Sequence, residues 1–359
     1  MLLRGFVLLV GLRSVPGLQH RLPGQLLSSF SSLTTTEKMT AATAIATSSN
    51  FHRIEQSTVV PLYWYMDVSS TMDVAKDIAK ERRAMSPSTE SLDAFAVAAY
   101  SQSMGRGTRG RSWLSSRGNL YLTVVVKTKD IPIPLTLVPL RIATLIHHEI
   151  EQLLCWTDDS NRDSSSNYDC NAICTENINS SSSDSNSNFS NECKNVYLKW
   201  PNDILIDKKK VCGILMEMED NNLLIGIGCN VVMAPVIENT GNNDGRQATC
   251  LKDHIQNDID DGSSLDRGCE YPLTDRMAKN IVNRLSQWIL SSSDCADNVV
   301  ADFSKRLDWG TQYLRENKTE VIPQKINIDG TLEVCSLLTF SDITIQSFVC
   351  ETSPRFCVQ

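Results

Sequence analysis

The sequence predicts an α+β chain. Short stretches rich in β-branched and aromatic residues recur between residues 59 and 233. Two longer stretches, 135–156 and 274–290, carry apolar residues at helical spacing. An Asp329-Gly330 pair sits between alternating segments, which is a hairpin signal, so a small β module is expected to close the chain over 317–359.

The elements follow in order. Residues 37–57 are rich in Thr, Ala and Ser and read as a linker. Val59 to Val68 suits a strand; Ser69, Ser70 and Thr71 then offer capping hydroxyls to a helix with Val74, Ala75, Ile78 and Ala79 on one face and Asp73 in its first turn. "DAFAVAAYSQ" and "GNLYLTVVVK" read as strands on either side of a loop, "SMGRGTRGRSW". The helix over 135–156 contains His147, His148 and Glu149, expected on an ordinary helix surface because a helical metal pair needs i, i+4 spacing. Residues 157–195 hold too few apolar residues to offset their ordering entropy and read as an insertion. Strands resume in "VYLKWPNDILID", "KKKVCGILMEME" and "NNLLIGIGCNVVM". A second polar tract over 238–270 precedes a helix at 274–290 and another near 297–316, which ends a main domain spanning 58–316.

Composition excludes several classes. A net charge of −8 argues against a general nucleic-acid binder, which neutralises phosphates with Lys and Arg. No apolar run approaches the ~20 residues of a membrane span. The 12 cysteines are dispersed without a C-x-x-C pair, so free thiols are expected rather than a disulfide scaffold or a zinc site. Residues 1–36 carry Arg4, Arg13 and Arg21, several serines and no acid, the composition of a mitochondrial or plastid transit peptide; a secretory signal competes for the same stretch, and Met39 offers a cytoplasmic start.

The loop needs chemistry. Gly105, Gly107 and Gly110 satisfy G-x-G-x-x-G, but a dinucleotide fingerprint requires a helix next, and here a strand follows. Kinase partner motifs, a Walker pattern and RG repeats are all missing. A β-loop-β element remains, with Arg106, Arg109 and Arg111 on a glycine-rich backbone that can hold phosphate or carboxylate groups. Lys199, in the apolar setting of Lys199-Trp200-Pro201-Asn202-Asp203, is costly to bury without an anion, and Pro201 implies a sheet edge or bulge.

"QSMGRGTRGRSW", "GNLYL", "LKWPNDILID", "KKVCGILMEM" and "IGIGCNV", in this order, resemble the biotin protein ligase (holocarboxylase synthetase) family over about residues 58–235 outside the insertion, with a weaker echo in the tail. The resemblance implies a mixed-sheet α/β catalytic domain, related to lipoate ligases and class II synthetase cores, with a small C-terminal SH3-like β-barrel. It implies ATP-dependent activation of biotin, with Mg²⁺, to biotinyl-5′-AMP. The biotinyl group then passes to a lysine on carrier domains of acetyl-CoA, propionyl-CoA or pyruvate carboxylases. Nucleic acid and membrane are not implied partners, and the oligomeric state stays open. A lipoate or octanoate ligase and an inactive biotin-sensing module are the alternatives.

Residue by residue, the resemblance assigns the biotin head to Ser70, Thr71 and Met72, with Gln102 at the same pocket. Gly105, Arg106, Gly107 and Thr108 form the loop over biotin and the adenylate. Gly213, Gly226 and Gly228 line the biotin slot. Lys199 meets the biotin carboxylate and the α-phosphate, making it and Arg106 the catalytic pair. Arg111, Trp113, Asn202 and Asn230 are assigned to ATP, and Asp203 to its metal. Thr108 stands where several family members carry Arg or Lys, and Cys212 replaces the Gly or Ala before Gly213. There is no room for a winged helix before residue 58, so repressor activity is not implied.

Overall fold

The computed structural model describes residues 50–55, 57–85, 94–156, 196–236, 247–255, 270–314, 320–340 and 343–349. The expected targeting segment, Met39 and the 157–195 insertion lie outside them.

An eight-stranded mixed sheet forms the main body, in the order β1-β2-β3-β4-β8-β7-β6-β5. The strands are β1 Phe51–Glu55, β2 Leu62–Val68, β3 Phe95–Gln102, β4 Leu120–Lys127, β5 Val196–Lys199, β6 Asp203–Ile206, β7 Lys209–Glu219 and β8 Asn222–Cys229. Only β2 and β3 run parallel; every other neighbouring pair is antiparallel. Helix α1 (Thr71–Met85) joins that parallel pair, as a crossover must. Helices α2 (Val138–Trp156), α3 (Pro272–Ser291) and α4 (Ala296–Arg306) follow.

Period-two alternation sorts the strands' side chains onto two faces. Leu62, Trp64, Leu120, Leu122, Cys212, Ile214, Ile225 and Ile227 join residues of α2, α3 and α4 in the larger core. Tyr63, Tyr65, Phe95, Val97 and Leu224 join Met72, Ala75, Ile78 and Ala79 of α1 in the smaller one. Each aliphatic side chain so buried contributes roughly 1.5–3 kcal/mol before the entropy of ordering it. Helix α1 starts where the hydroxyls predict: Ser70 Oγ accepts from the Met72 amide at 3.3 Å. Asp73 in its first turn and Arg82 and Arg83 in its last complement its dipole.

The last strands, β9 Tyr313–Leu314, β10 Glu320–Ile326, β11 Leu332–Phe340 and β12 Ile343–Val349, form a four-stranded antiparallel sheet in the order β12-β11-β10-β9. Gly330 turns the expected hairpin at φ 88°.

Five expectations change. Strand β1 lies inside the stretch read as a linker, because Phe51–Glu55 pairs with β2. The C-terminal sheet begins at Tyr313, ahead of the boundary placed at residue 317. The 238–270 tract is not wholly an insertion: Ala248 bridges Lys210, and Cys250 and Leu251 are buried. "VYLKWPNDILID" is a hairpin, β5 against β6, whose turn contains a cis Trp200-Pro201 bond. His147 and Glu149 are buried rather than on a helix surface, because α3 and α4 pack over α2; Glu149 pairs with Arg284, and His147 Nε2 lies 3.0 Å from the Val196 carbonyl. Among the described residues no helix is long and apolar enough to cross a membrane, and no three His, Cys, Asp or Glu residues could hold a metal ion together.

Candidate active site

The α1 side of the sheet is incompletely filled. Along β7 and β8, alternation points residues 213, 226 and 228 to that side, and all three are glycine. A cavity of about 240 Å³ opens there. Its described lining contains every residue the resemblance assigned to biotin, ATP or metal except Gly105. A Cβ on Gly105 would stand 2.4 Å from the Trp113 carbonyl oxygen, so the loop folds this closely only with glycine there.

One end of the cavity is a relay of neutral polar groups. The Thr71 amide and hydroxyl donate to Gln102 Oε1 at 2.9 and 3.2 Å, Thr123 donates to Thr71 Oγ1 at 2.9 Å, and Gln102 Nε2 donates to Ser115 at 3.1 Å. Ser70, Thr71 and Thr123 are buried, so these groups are held in fixed orientations. Met72 lies over Gly226, its sulfur 3.1 Å from where a Cβ would be.

The other end is cationic: Lys199 and Lys210 stand beside Asp203, the one carboxylate among the described lining residues, while Arg106 and Arg111 reach the cavity from the loop. The loop carrying two of them is a small hairpin. Arg106 bridges Ser112, the Gly107 amide donates to the Arg111 carbonyl at 2.7 Å, and Arg109 and Gly110 turn the chain at φ 59° and 70°. Arg109 is spent on that turn and lies outside the cavity lining. Arg106 Nη1 meets Asp73 at 2.8 Å, and its Nε lies 3.3 Å from Glu217, close enough for ion pairing but without hydrogen-bond geometry. Burial works against the charge of Arg106, but these two carboxylates outweigh it and hold its pKa above the ordinary guanidinium value. Arg111 bonds back to Thr108, from Nη2 to Oγ1 at 2.9 Å and from Nε to the carbonyl at 3.2 Å.

Trp113 lies flat on the floor. A Cβ on Gly228 would stand 2.6 Å from its Cε2, and one on Gly213 2.8 Å from its Cζ3, so the ring can settle only on glycine. Lys210 covers it, with Nζ 4.9 Å from the ring centroid, and also pairs with Asp203 at 2.6 Å.

Several assigned residues have structural partners. Asn202 donates to the Ile214 carbonyl at 2.6 Å, tying the turn to β7. Asn230 donates to the Thr249 carbonyl at 3.0 Å, which leaves its Oδ1 buried without a partner. Trp113 Nε1 and Arg106 Nη2 are also buried without hydrogen-bond partners. Native interiors rarely tolerate such atoms, yet three residues lining this one cavity carry them. Cys212 is the exception to the family pattern that matters least here: it points into the opposite core, across from Cys229.

Sequence reasoning missed Lys210, Thr123, Asp73 and Glu217. Lys210 was hidden in a run of three lysines that reads as a turn. The alternation Lys210-x-Cys212, continued from Gly213, places it at the strand start but does not aim it. The two carboxylates carry no local signal, because their role depends on the arginine that arrives from the loop.

Residues 68–233 match the model of the biotin/lipoate A/B protein ligase family. Over these residues, a little under half of the sequence, the chain is similar to biotin and lipoate protein ligases. A biotin protein ligase from Leishmania major, solved in complex with biotin, is 26% identical, with a TM-score of 0.50 over 81% of this chain and 98% of that one. The biotin--[acetyl-CoA-carboxylase] ligase of Mycobacterium tuberculosis is 23% identical over 217 residues, 60% of this chain and 61% of that protein. The bifunctional ligase/repressor BirA of Bacillus subtilis is 30% identical over 178 residues, 48% of this chain and 41% of that protein. The chain thus spans less than two thirds of the length of these curated relatives. The matched region holds every described lining residue of the cavity except Pro235 and Ala248.

Proposed function

We propose that this protein activates biotin with ATP to biotinyl-5′-AMP and transfers the biotinyl group to a lysine of biotin carboxyl carrier domains. The observation that carries the reading is the convergence of Arg106 Nη2, Trp113 Nε1 and Asn230 Oδ1, all unpartnered, on a glycine-floored cavity between a neutral polar end and a cationic one.

In this reading the biotin carboxylate oxygen attacks the α-phosphorus, the bond to the β-phosphate oxygen breaks, and pyrophosphate leaves. Two anions must be brought together, and the barrier falls if fixed cations neutralise them without reorganising. In this reading Arg106 and Lys199 take that role, and Arg111 and Lys210, which also line the cavity, serve the remaining phosphates. Ser70, Thr71 and Gln102 orient the ureido head, and Asn230 Oδ1 can accept from the adenine amino group. In the second step the carrier amine, having lost a proton, attacks the acyl carbon and AMP departs. Asp203 is one carboxylate already paired with Lys210. That donor set holds magnesium only with the nucleotide's own phosphates, as is usual for this ion. Bound there, the metal would neutralise phosphate charge.

The neutral polar end favours biotin over lipoate, because a dithiolane ring would offer these groups no hydrogen bonds. The presence of both Arg106 and Lys199 favours an enzyme over a sensing module. The test is incubation with ATP, Mg²⁺, labelled biotin and a carrier domain from acetyl-CoA, propionyl-CoA or pyruvate carboxylase, with lipoate in parallel. Label on the carrier lysine is expected; label from lipoate alone overturns the reading. Lys199→Ala should abolish adenylate formation. The basic, acid-free first 36 residues support delivery to a mitochondrion or plastid, with Met39 giving a cytoplasmic form; a single full-length cytosolic species on fractionation counts against delivery.

A further inference from the structure

We propose that Tyr313, on the first strand of the C-terminal sheet, is a positioning residue for Lys199. The inference rests on the ligase reading and adds to it a link from the small sheet to the cationic end of the site.

Lys199 is the last residue of β5, and the turn that follows it is gripped from the C-terminal side at two points. The Trp200 amide donates to the Tyr313 hydroxyl at 3.0 Å. Trp200 Nε1 donates to the Gly330 carbonyl at 2.9 Å. The second grip is rigid: Gly330 sits at φ 88°, and a Cβ there would stand 3.1 Å from both Leu137 Cδ2 and the Thr136 carbonyl, so the hairpin turn is wedged against the entrance to α2. The ring of Tyr313 does a separate job. Its centroid lies 5.5 Å from Lys199 Nζ, within range of a cation–π interaction. One side chain thus holds both the amide one peptide unit beyond the Lys199 Cα and the ammonium at the end of the Lys199 side chain.

The approach to Tyr313 is fixed as well. Leu198 bridges Leu307 in parallel, and the Asp308 amide donates to the Leu198 carbonyl at 2.9 Å, so the segment leading to Tyr313 runs along the outer edge of β5. A long lysine side chain has much rotamer freedom to lose. Holding it from both ends moves that loss from the reaction into the folded state, the general advantage of a preorganised charge.

The experiment uses the full chain and biotin-dependent ATP–pyrophosphate exchange, alongside hydrogen exchange of the Trp200 amide. Tyr313→Phe removes the hydroxyl and keeps the ring. It should speed exchange of that amide and lower kcat by roughly three- to tenfold, the span of one hydrogen bond. The KM for biotin should stay within about twofold, since the head group is held at the other end of the cavity by Thr71 and Gln102. Tyr313→Leu removes both contacts and should lower kcat further. Should Tyr313→Leu not fold, Tyr313→Phe alone decides.

Unchanged Trp200 exchange in Tyr313→Phe overturns the tether. Faster amide exchange with unchanged kcat overturns its positioning role, and a parallel loss in kcat, biotin KM and thermal stability reduces Tyr313 to a structural contact. A wild-type chain that exchanges no pyrophosphate with biotin ends the parent reading and this one with it. An active wild type beside an unaltered variant ends this one alone.

Discussion

Replacing Arg106 by alanine should separate ligand affinity from fold stability. The Arg106 side chain is 35% exposed and its partners Asp73 and Glu217 are 40% and 24% exposed, so each ion pair contributes only about 0.2–1 kcal/mol after screening by water. Neither carboxylate is stranded by the change. Glu217 keeps Lys76 at 2.9 Å, and Asp73 keeps the favourable end of the α1 dipole. The two pairs together contribute at most about 2 kcal/mol, so the melting temperature should fall by no more than about 8 °C. Nη2 is different: it is buried without a partner and would make a charge-assisted bond to the bound adenylate, worth roughly 1.5–3 kcal/mol. That corresponds to a loss of about 10- to 150-fold in affinity. Calorimetric titration of a non-hydrolysable biotinyl-adenylate analogue, with thermal unfolding of the same samples, measures both. Equal affinity in wild type and Arg106→Ala, or a collapse in melting temperature with affinity intact, would refute the assignment of this arginine to an anion.

Gly228→Ala puts a methyl group 2.6 Å from the Trp113 ring, which must lift off the floor. Adenylate-analogue affinity should drop at least about tenfold with a small change in melting temperature, since the overlap is with a loop side chain; unchanged affinity would mean the ring does not contribute to the site. Thr108→Arg adds a charge where the present hydroxyl accepts from Arg111, and should lengthen the half-life of enzyme-bound biotinyl-AMP; equal half-lives count against the residue's role. Glu55 pairs with Lys279 at 2.8 Å, linking β1 to α3. Burial alone would raise its pKa, but the Lys279 and Ser57 hydrogen bonds prevail and lower it to about 2 from 4.5. Its contribution is thus complete above pH 4.5 and is lost as pH falls toward 2. Stability of Glu55→Gln, followed by denaturant unfolding, should decline less steeply than wild type across that window, and identical slopes would show the pair to be inert.

The strands, helices and polar termini of the main sheet were legible because each obeys a local rule. Ser70 caps α1, period-two alternation fills two cores, and Asp329-Gly330 turns a hairpin. The glycines of β7 and β8 were legible as a binding surface only through the family resemblance; the structure supplies the reason, since all three fall on one face of the two strands. What escaped depends on partners distant in sequence. Phe51–Glu55 becomes a strand through β2 and the Arg53 and Glu55 contacts to α3, none of which its Thr- and Ser-rich neighbourhood announces. Ala248 and Leu251 are drawn out of a polar tract by β7 and by the core. His147 and Glu149 looked solvent-facing because helical spacing alone does not reveal that two further helices cover α2.

The gathering of Arg106, Arg111, Lys199 and Lys210 around one recess has a consequence for how ligands arrive. The chain as a whole carries −8, so an anion approaching most of its surface is repelled. At the recess these four cations outnumber the three carboxylates paired with them, Asp73, Glu217 and Asp203, and low-dielectric walls concentrate the field there. Capture of a carboxylate or a triphosphate is therefore guided before any contact forms, and the association rate, more than the dissociation rate, should carry the dependence on ionic strength.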